Sequence, residues 1–169
     1  EMAKADRAEL VNAYDNTILF TSNMIADIIE RLKVSNKVSG LLYVSDHGED
    51  IFDDERKLFL HASPIPSYYQ IHVPFLVWLS DEFNQKYPEK ESALHINSSK
   101  FVASSLSVFH TMIDMSGINT IWDKPCHSVM STNYTPNPAI YLNDHNKAVG
   151  LKDCGILSYD TKMLNRLGI

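Results

Sequence analysis

An acid and a histidine stand side by side where an apolar run ends. Residues 41–50 read LLYVSDHGED, so Asp46 and His47 come just after a run of apolar residues. In open α/β sheets, ligands bind beyond the carboxyl ends of the strands. A carboxylate oxygen and a neutral imidazole nitrogen are good ligands for Zn²⁺ and similar divalent ions. The pattern therefore predicts part of a metal site, with at least one more ligand coming from elsewhere.

Asp46 and His47 are adjacent, and this constrains the conformation of the backbone between them. Successive side chains of a strand point to opposite faces, so Asp46 and His47 reach one ion only if the chain turns sharply. We expect Gly48 to supply the conformational freedom for that turn. A strand-end Asp that caps the following loop is the alternative. The neighbouring acids can also be ligands, although a run of acids in a loop is more often solvated surface; they are Glu49, Asp50, Asp53 and Asp54.

The totals limit the classes of function. The 169 residues suit one domain, and 44% hydrophobic with 21% charged residues is ordinary for a globular protein. A net charge of −6 without a Lys/Arg cluster argues against nucleic acid or an anionic membrane surface as the main partner. No apolar stretch approaches the ~20 residues that span a bilayer. The two cysteines, Cys126 and Cys154, form either one disulfide or two free thiols.

The first half of the chain predicts a helix and two strands. Apolar residues recur near a period of 3.6 over 6–33, which indicates an amphipathic helix. Within residues 38–45, positions 41–44 form a continuous apolar run, typical of a strand covered on both faces in a parallel sheet. Residues 50–70 are loop-like. Residues 71–80 predict a second strand, whose early part Pro74 demotes to an edge or bulge.

The second half predicts a helix and a hairpin. Residues 81–90 are expected to be polar surface, and 98–115 a helix capped by Ser98 or Ser99, with Gly117 just past its end. Residues 119–139 look irregular, and 139–151 predict a hairpin with its turn over 143–146. This order predicts an α/β fold. The few strands predict one side of a larger mixed or parallel sheet flanked by helices.

A spaced set of motifs resembles a known family. The set is SDHGE after an apolar strand, then the Leu-His of FLHASP, then VPFLVWLSD. It resembles the alkaline phosphatase/sulfatase superfamily, and within it the phosphoethanolamine transferases that modify lipid A. YDNTILFTSNMIADIIERLK and VFHTMIDMSGI resemble helices of the same family, so the likeness spans roughly residues 10–120. It implies an alkaline-phosphatase-like fold, of which residues 1–169 form the C-terminal portion of a single catalytic domain.

The resemblance implies roles for three residues. Asp46 and His47 match the Asp-His pair that binds the catalytic zinc, with manganese or calcium as alternatives. His61 matches a histidine near the transferred phosphate or a second metal, which makes it a substrate-binding candidate; a structural loop histidine is the alternative. Other histidines match no ligand position, and we expect His110 to be packed and hydrogen-bonded; the others are His72, His95, His127 and His145. Tyr68, Tyr69 and Trp78 are expected in the core or a pocket wall.

The resemblance also implies what this chain lacks. Members of the family attack with a threonine at a helix start, upstream of the segment that opens this chain, and no threonine here matches it. We therefore expect no catalytic nucleophile in this chain and no activity from it alone. The implied partners are a phospholipid donor, a glycolipid acceptor and the missing N-terminal half of the catalytic domain, which continues into membrane-spanning segments. The implied location is the inner membrane with a periplasmic catalytic domain, which favours a Cys126–Cys154 disulfide.

Two alternatives remain at this point. One is a hydrolase of the same superfamily, either a sulfatase or a phosphodiesterase. Arylsulfatases usually pair Asp-Asn with Ca²⁺ where this chain has Asp46 and His47, which ranks the sulfatase lower. The other alternative is a non-catalytic α/β interaction module whose Asp-His pair is only a strand-end cap. Specific metal binding separates an enzyme from such a module.

Overall fold

A computed structural model describes residues 6–61, 65–136, 140–142 and 147–166. The described strands form three two-stranded antiparallel sheets: β1 with β4, β2 with β3, and β5 with β6. The elements are α1 (Arg7–Val34), β1 (Gly40–Val44), β2 (Asp50–Ile51), β3 (Phe59–Leu60), α2 (Tyr68–Ile71), β4 (Phe75–Leu79), α3 (Asp81–Lys86), α4 (Pro88–Asn97), α5 (Ser104–Ser116), β5 (Ile140–Leu142), β6 (Ala148–Gly150) and α6 (Ser158–Arg166). The predicted α/β class is confirmed.

Helix α1 forms where the apolar period predicted it. The Asp6 side chain accepts a hydrogen bond from the backbone N–H of Glu9, which satisfies a donor of the first turn. Lys33 in the last turn complements the helix dipole. No residue of this helix is buried, and Phe20 is 72% exposed. The predicted apolar stripe is therefore only half covered in this structure.

Strands β1 and β4 form the central pair. Their register joins Gly40 to Leu79 and Val44 to Phe75, and the pairing is antiparallel. The parallel neighbour expected for β1 is not among the described strands, and every β1 residue is half-buried instead of buried. A single antiparallel partner with incomplete cover explains the difference. Pro74 lies just before β4, as its missing N–H requires.

The polar segment after β4 is helical, which the sequence analysis did not predict. Ser80 caps α3 by accepting a hydrogen bond from the N–H of Phe83, and Pro88 occupies the first turn of α4. Ser98 ends α4 instead of starting α5, so the predicted start of that helix at 98 was wrong. Helix α5 begins at Ser104. Its predicted end at Gly117 is confirmed, with φ +66.

The hydrophobic core lies beside the irregular segment that follows α5. Leu79 and Phe83 pack with Val129, Met130 and Tyr134, all 8% exposed or less. The side-chain amide of Asn97 donates to the backbone carbonyls at 129 and 131, which ties this segment to α4. Tertiary packing and side-chain hydrogen bonds thus fix a segment that has little regular structure of its own.

Short strands β5 and β6 confirm the predicted hairpin. Its turn at 143–146, which includes His145, lies outside the described residues. Helix α6, which was not predicted, docks through one buried ion pair: Asp160, with 0% exposure, accepts hydrogen bonds from Arg56 and from the N–H of Tyr68.

The cysteines are both free. Cys126 is exposed, and the Cys154 thiol is half-buried and donates to the carbonyl of Leu151. The disulfide considered from the sequence is therefore not formed in this structure. Burial raises the pKa of the Cys154 thiol. Among the described residues, no helix combines the length and the apolar character needed to cross a membrane.

Candidate metal centre

The loop after β1 folds back on itself within a few residues. The Ser45 hydroxyl donates to the carbonyl of His47, and the Asp46 carboxylate accepts from the N–H of His47. The N–H of Gly48 donates to the carbonyl of Gln70 at 2.8 Å, which fixes the loop against α2. These hydrogen bonds hold the backbone in the sharp turn that the adjacent residues Asp46 and His47 need if both are to reach one ion.

Gly48 is needed for a different reason than predicted. Its φ is not positive, so it does not supply left-handed backbone. A Cβ at this position would stand 2.0 Å from the carbonyl oxygen of Tyr69. Close approach of two backbones therefore requires a glycine here. The expectation of special conformational freedom was wrong, although the requirement for glycine stands.

The side chains of Asp46 and His47 bring two donor atoms close together. Asp46 Oδ2 lies 3.7 Å from His47 Nε2. Two ligands at about 2.0–2.1 Å from a tetrahedral zinc stand about 3.4 Å apart, so this separation is close to that of a ligand pair. The other ring nitrogen, His47 Nδ1, lies 3.0 Å from the carbonyl oxygen of Gly48. A hydrogen bond from Nδ1–H to that carbonyl leaves the Nε2 lone pair free for a metal, as metal-bound histidines typically do.

His61 joins this loop from the far side of the β2–β3 hairpin. Its ring centroid lies 3.9 Å from that of His47, and its Nδ1 lies 2.8 Å from Glu49 Oε1. Ligand atoms of His47, Glu49 and His61 all lie within 4.8 Å of one another. Within the described part of the chain, no other group of three His, Cys, Asp or Glu residues is this compact. The structure thus brings the metal candidate His47 and the substrate candidate His61 together with Glu49, whereas the metal candidate Asp46 lies beside this group and is not a member of it.

Glu49 carries an unexplained buried atom. Its Oε2 is inaccessible to solvent and has no hydrogen-bond partner among the described residues. Buried carboxylate oxygens are normally paired or bound to a metal. Imidazole and carboxylate donors together suit Zn²⁺. The residues present therefore fit a zinc ion.

The other acids of this loop have structural tasks. Asp50 is buried and accepts from the Ser67 hydroxyl and the Gln70 amide. Asp54 pairs with Arg56, and Asp53 accepts from the N–H of Ile51. The expectation that the acids of this run are solvated holds for the exposed Asp53, but it was wrong for Asp50, because the hairpin folds that side chain inward.

Two histidines outside the cluster, His110 and His72, make hydrogen bonds with neighbouring residues. His110 is 9% exposed, and its Nδ1 accepts from the N–H of Lys124, which confirms the predicted packed and hydrogen-bonded role. Burial lowers the pKa of His110, and the neighbouring His127 lowers it further. His72 lies 2.8 Å from the Tyr68 hydroxyl. His95 is exposed.

Sequence reasoning placed Glu49 among solvated acids, and the structure places it between two histidines. Its position just after His47 and Gly48 was the only available signal. That signal is weak, because it does not tell how the hairpin returns His61 to the loop.

Comparison with known proteins agrees with the fold and the motifs. The sulfatase family profile matches residues 1–118, so the chain belongs to the sulfatase family. It is 31% identical over 134 residues to phosphoethanolamine transferase EptA of Salmonella typhimurium, covering 77% of this chain and 24% of the relative. It is 33% identical over 79 residues to a Kdo(2)-lipid A phosphoethanolamine 7''-transferase of the same species, covering 46% and 13%. The resemblance to phosphoethanolamine transferases is confirmed.

Solved structures give the same fold. The C-terminal periplasmic domain of EptC from Escherichia coli superposes with a TM-score of 0.75 at 24% identity, covering 88% of this chain and 42% of that one. A structure of that domain in complex with Zn gives 0.68 at 21% identity, covering 93% and 43%. The chain thus spans under half of these domains and about a quarter of the EptA relative.

Proposed function

We propose that this chain is the C-terminal portion of the catalytic domain of a zinc-dependent phosphoethanolamine transferase. The observation that carries the proposal is the cluster of His47, Glu49 and His61 beside Asp46. Membership of the sulfatase family and the likeness to named phosphoethanolamine transferases support it. The relative solved with zinc supports the choice of metal.

Each residue of the cluster has a distinct task. Asp46 Oδ2 and His47 Nε2 hold the metal, and the Gly48 carbonyl holds the His47 ring in the matching tautomer. Glu49 Oε1 accepts from His61 Nδ1–H and orients that ring. His61 Nε2 then binds a phosphate oxygen or passes a proton to the leaving group. Bound zinc stabilises negative charge on phosphate oxygens.

The remaining parts of the reaction lie outside this chain. The proposed nucleophile is a threonine that displaces diacylglycerol from phosphatidylethanolamine and forms a covalent phosphoethanolamine ester. A phosphate group on lipid A or a related glycan then takes the phosphoethanolamine and releases the threonine hydroxyl. We place the enzyme in the inner membrane with this domain in the periplasm, in keeping with the periplasmic domain of EptC.

Bound metal tests the proposal. We expect elemental mass spectrometry of the complete catalytic domain, which adds the N-terminal half, to find about one zinc per chain, as one tetrahedral site would hold. His47→Ala should lose it. His95→Ala, which removes an exposed histidine outside the cluster, is the matched control and should keep it.

Other metals would point elsewhere. Bound calcium would favour the sulfatase alternative over the transferase. Absence of metal from both the complete wild-type domain and its His95 variant would overturn the metal role of Asp46 and His47, and leave the family membership to describe the fold alone.

A further inference from the structure

The strand hairpin that leads to His61 is anchored to α6, far along the chain. Asp160 of α6 is fully buried, and its Oδ2 accepts a hydrogen bond from Arg56 Nη1 at 2.6 Å. Its Oδ1 accepts from Arg56 Nη2 at 3.0 Å. Arg56 lies between β2 and β3, a few residues before His61. The planar guanidinium therefore holds the carboxylate through two bonds, which fix direction as well as distance.

The same carboxylate also holds a second support of the metal cluster. Asp160 Oδ1 accepts a hydrogen bond from the backbone N–H of Tyr68, the first residue of α2, at 2.8 Å. Helix α2 supplies the Gln70 carbonyl that accepts from the N–H of Gly48, directly after His47. One buried side chain thus connects the loop after β1 with the β2–β3 hairpin.

The hairpin needs such an anchor because its backbone is strained. Phe52, Lys57 and Leu60 have φ angles of +54, +53 and +65, in the left-handed region that residues other than glycine rarely adopt. Such residues persist only where the surrounding contacts over-determine the backbone. Leu60 directly precedes His61, so relaxation at Leu60 changes the direction in which the His61 ring points.

Arg56 also closes the turn of its own hairpin. Its Nε donates to Asp54 Oδ1 at 3.0 Å, and its backbone N–H donates to the same oxygen at 2.9 Å. Hydrogen bonds to Asp54 and to Asp160 raise the pKa of the Arg56 guanidinium, which therefore stays charged. A lysine carries the same charge without the planar fork, so it cannot serve both carboxylates in this geometry.

We propose that Arg56 and Asp160 are positioning residues for the transfer reaction, because they set the place of His61 relative to His47. The inference rests on the proposed function for the tasks of the two histidines. It adds that α6 supports the site without touching metal or substrate. The two rings lie 3.9 Å apart, centroid to centroid. A displacement of about 1 Å can lower the rate of an enzyme about 100-fold, so small movements of the hairpin matter to the reaction.

NMR of the complete catalytic domain, kept free of metal, tests the positioning role. One probe is the nuclear Overhauser effect between the ring protons of His47 and His61. The other is hydrogen exchange of the Gly48 amide, which reports the contact of its loop with α2. We expect Arg56→Lys to lose the first and keep the second, because Asp160 still holds α2. Asp160→Ala should lose the first and also speed exchange at Gly48 about three- to tenfold, as the net loss of one hydrogen bond predicts.

Activity and zinc content are measured on the same variants. We expect Arg56→Lys to keep its zinc and to transfer phosphoethanolamine about 10- to 100-fold more slowly. Val129→Ala is the control for a general loss of stability, because it removes buried contacts beside Leu79 and Phe83 in the hydrophobic core. It should keep the contact between the histidine rings and the rate of transfer.

The outcomes separate this inference from the proposed function. An unchanged ring contact in Arg56→Lys, or an equal loss in Val129→Ala, overturns the positioning role. A lost ring contact with a wild-type transfer rate overturns it too, because His61 then needs no fixed place. If the wild-type domain transfers no phosphoethanolamine, the proposed function fails, and the ring contact in metal-free protein still decides whether Arg56 positions His61. Arg56→Lys decides this even if Asp160→Ala does not fold.

Discussion

The rings of His47 and His61 lie 3.9 Å apart, centroid to centroid, at an angle of 37°. One belongs to the loop after β1, and the other follows β3. The Gly48 carbonyl can hold the first ring, and Glu49 can hold the second. Both rings thus have one nitrogen tied to the same short loop and one nitrogen left for a ligand. Rigid support of this kind keeps ligand atoms in place before the metal or substrate arrives.

Replacing Glu49 by Gln should weaken zinc binding by at least about tenfold, because Glu49 Oε1 also lies 3.8 Å from Nδ1 of the proposed ligand His47, and outer partners of metal ligands are typically worth that much. Glu49→Gln keeps the shape of the side chain but removes the charge on a buried oxygen that has no partner among the described residues. Competition with a fluorescent zinc chelator measures the change. The control is Glu55→Gln, an exposed glutamate of the β2–β3 hairpin. If Glu49→Gln binds zinc as tightly as the wild type does, the role of Glu49 is limited to its hydrogen bond with His61.

The sequence predicted the parts of the site better than their arrangement. The apolar run before Asp46 marks the end of a strand. In open α/β sheets ligands bind beyond that end, so the residue types found there indicate the chemistry of the site. The partnership of Glu49 with His61 depends on how the intervening hairpin folds back, and no local pattern encodes that path. Asp50 shows the same limit, since only the packed structure reveals that Ser67 and Gln70 satisfy it.

Predicted helix boundaries were confirmed where the local sequence signals were strong. The long period of α1 and the glycine stop at Gly117 gave correct boundaries. The predicted start of α5 was wrong, because Ser98 and Ser99 suit the end of a preceding polar helix as well as the start of a new helix. Ser80 and Pro88 are start signals for α3 and α4 that hydrophobic periodicity alone overlooks. The strand that pairs with β1 could not be predicted from the sequence, because strand pairing joins segments that are distant along the chain.

Helix α6 should detach when its buried carboxylate loses its charge. Asp160 has 0% exposure and binds both terminal nitrogens of Arg56. Asp160→Asn removes one of the two carboxylates that pair with Arg56 and leaves Asp54 in place, so we expect it to lower the free energy of unfolding by about 1–3 kcal/mol, the cost of losing hydrogen bonds to a buried charged group. Urea titration measures this, with the exposed Asp153→Asn as control. A loss below about 1 kcal/mol would mean that the pair behaves like an exposed one.

Acid should weaken the same region through Asp54. Hydrogen bonds from the Arg56 side chain lower the pKa of Asp54 below its usual 3.8, although burial acts in the opposite direction. A carboxyl with a depressed folded pKa contributes stability in full above its unfolded pKa and loses it as the pH falls through the folded value. Wild type should therefore lose more free energy of unfolding between about pH 5 and about pH 2 than Asp54→Asn does. Parallel losses in urea titrations of both proteins would contradict the assignment.

A methyl group at Gly48 should disturb the metal site by displacing the loop that carries His47. The added Cβ would meet the Tyr69 carbonyl oxygen at 2.0 Å, so the loop must move and lose the bond from Gly48 N–H to Gln70. We expect Gly48→Ala to weaken zinc binding about 10- to 100-fold and to cost about 1–3 kcal/mol of stability. Chelator competition and urea titration measure the two effects.

Gly117→Ala is the matched control for that variant. Position 117 has φ +66 with open space around it, so an alanine there should cost about 1 kcal/mol through backbone strain alone and leave zinc binding unchanged. The contrast matters because any destabilised chain can lose metal indirectly. If both alanines reduce zinc affinity equally, the effect is global. If Gly48→Ala retains full zinc affinity, the contact between the loop and α2 does not position His47.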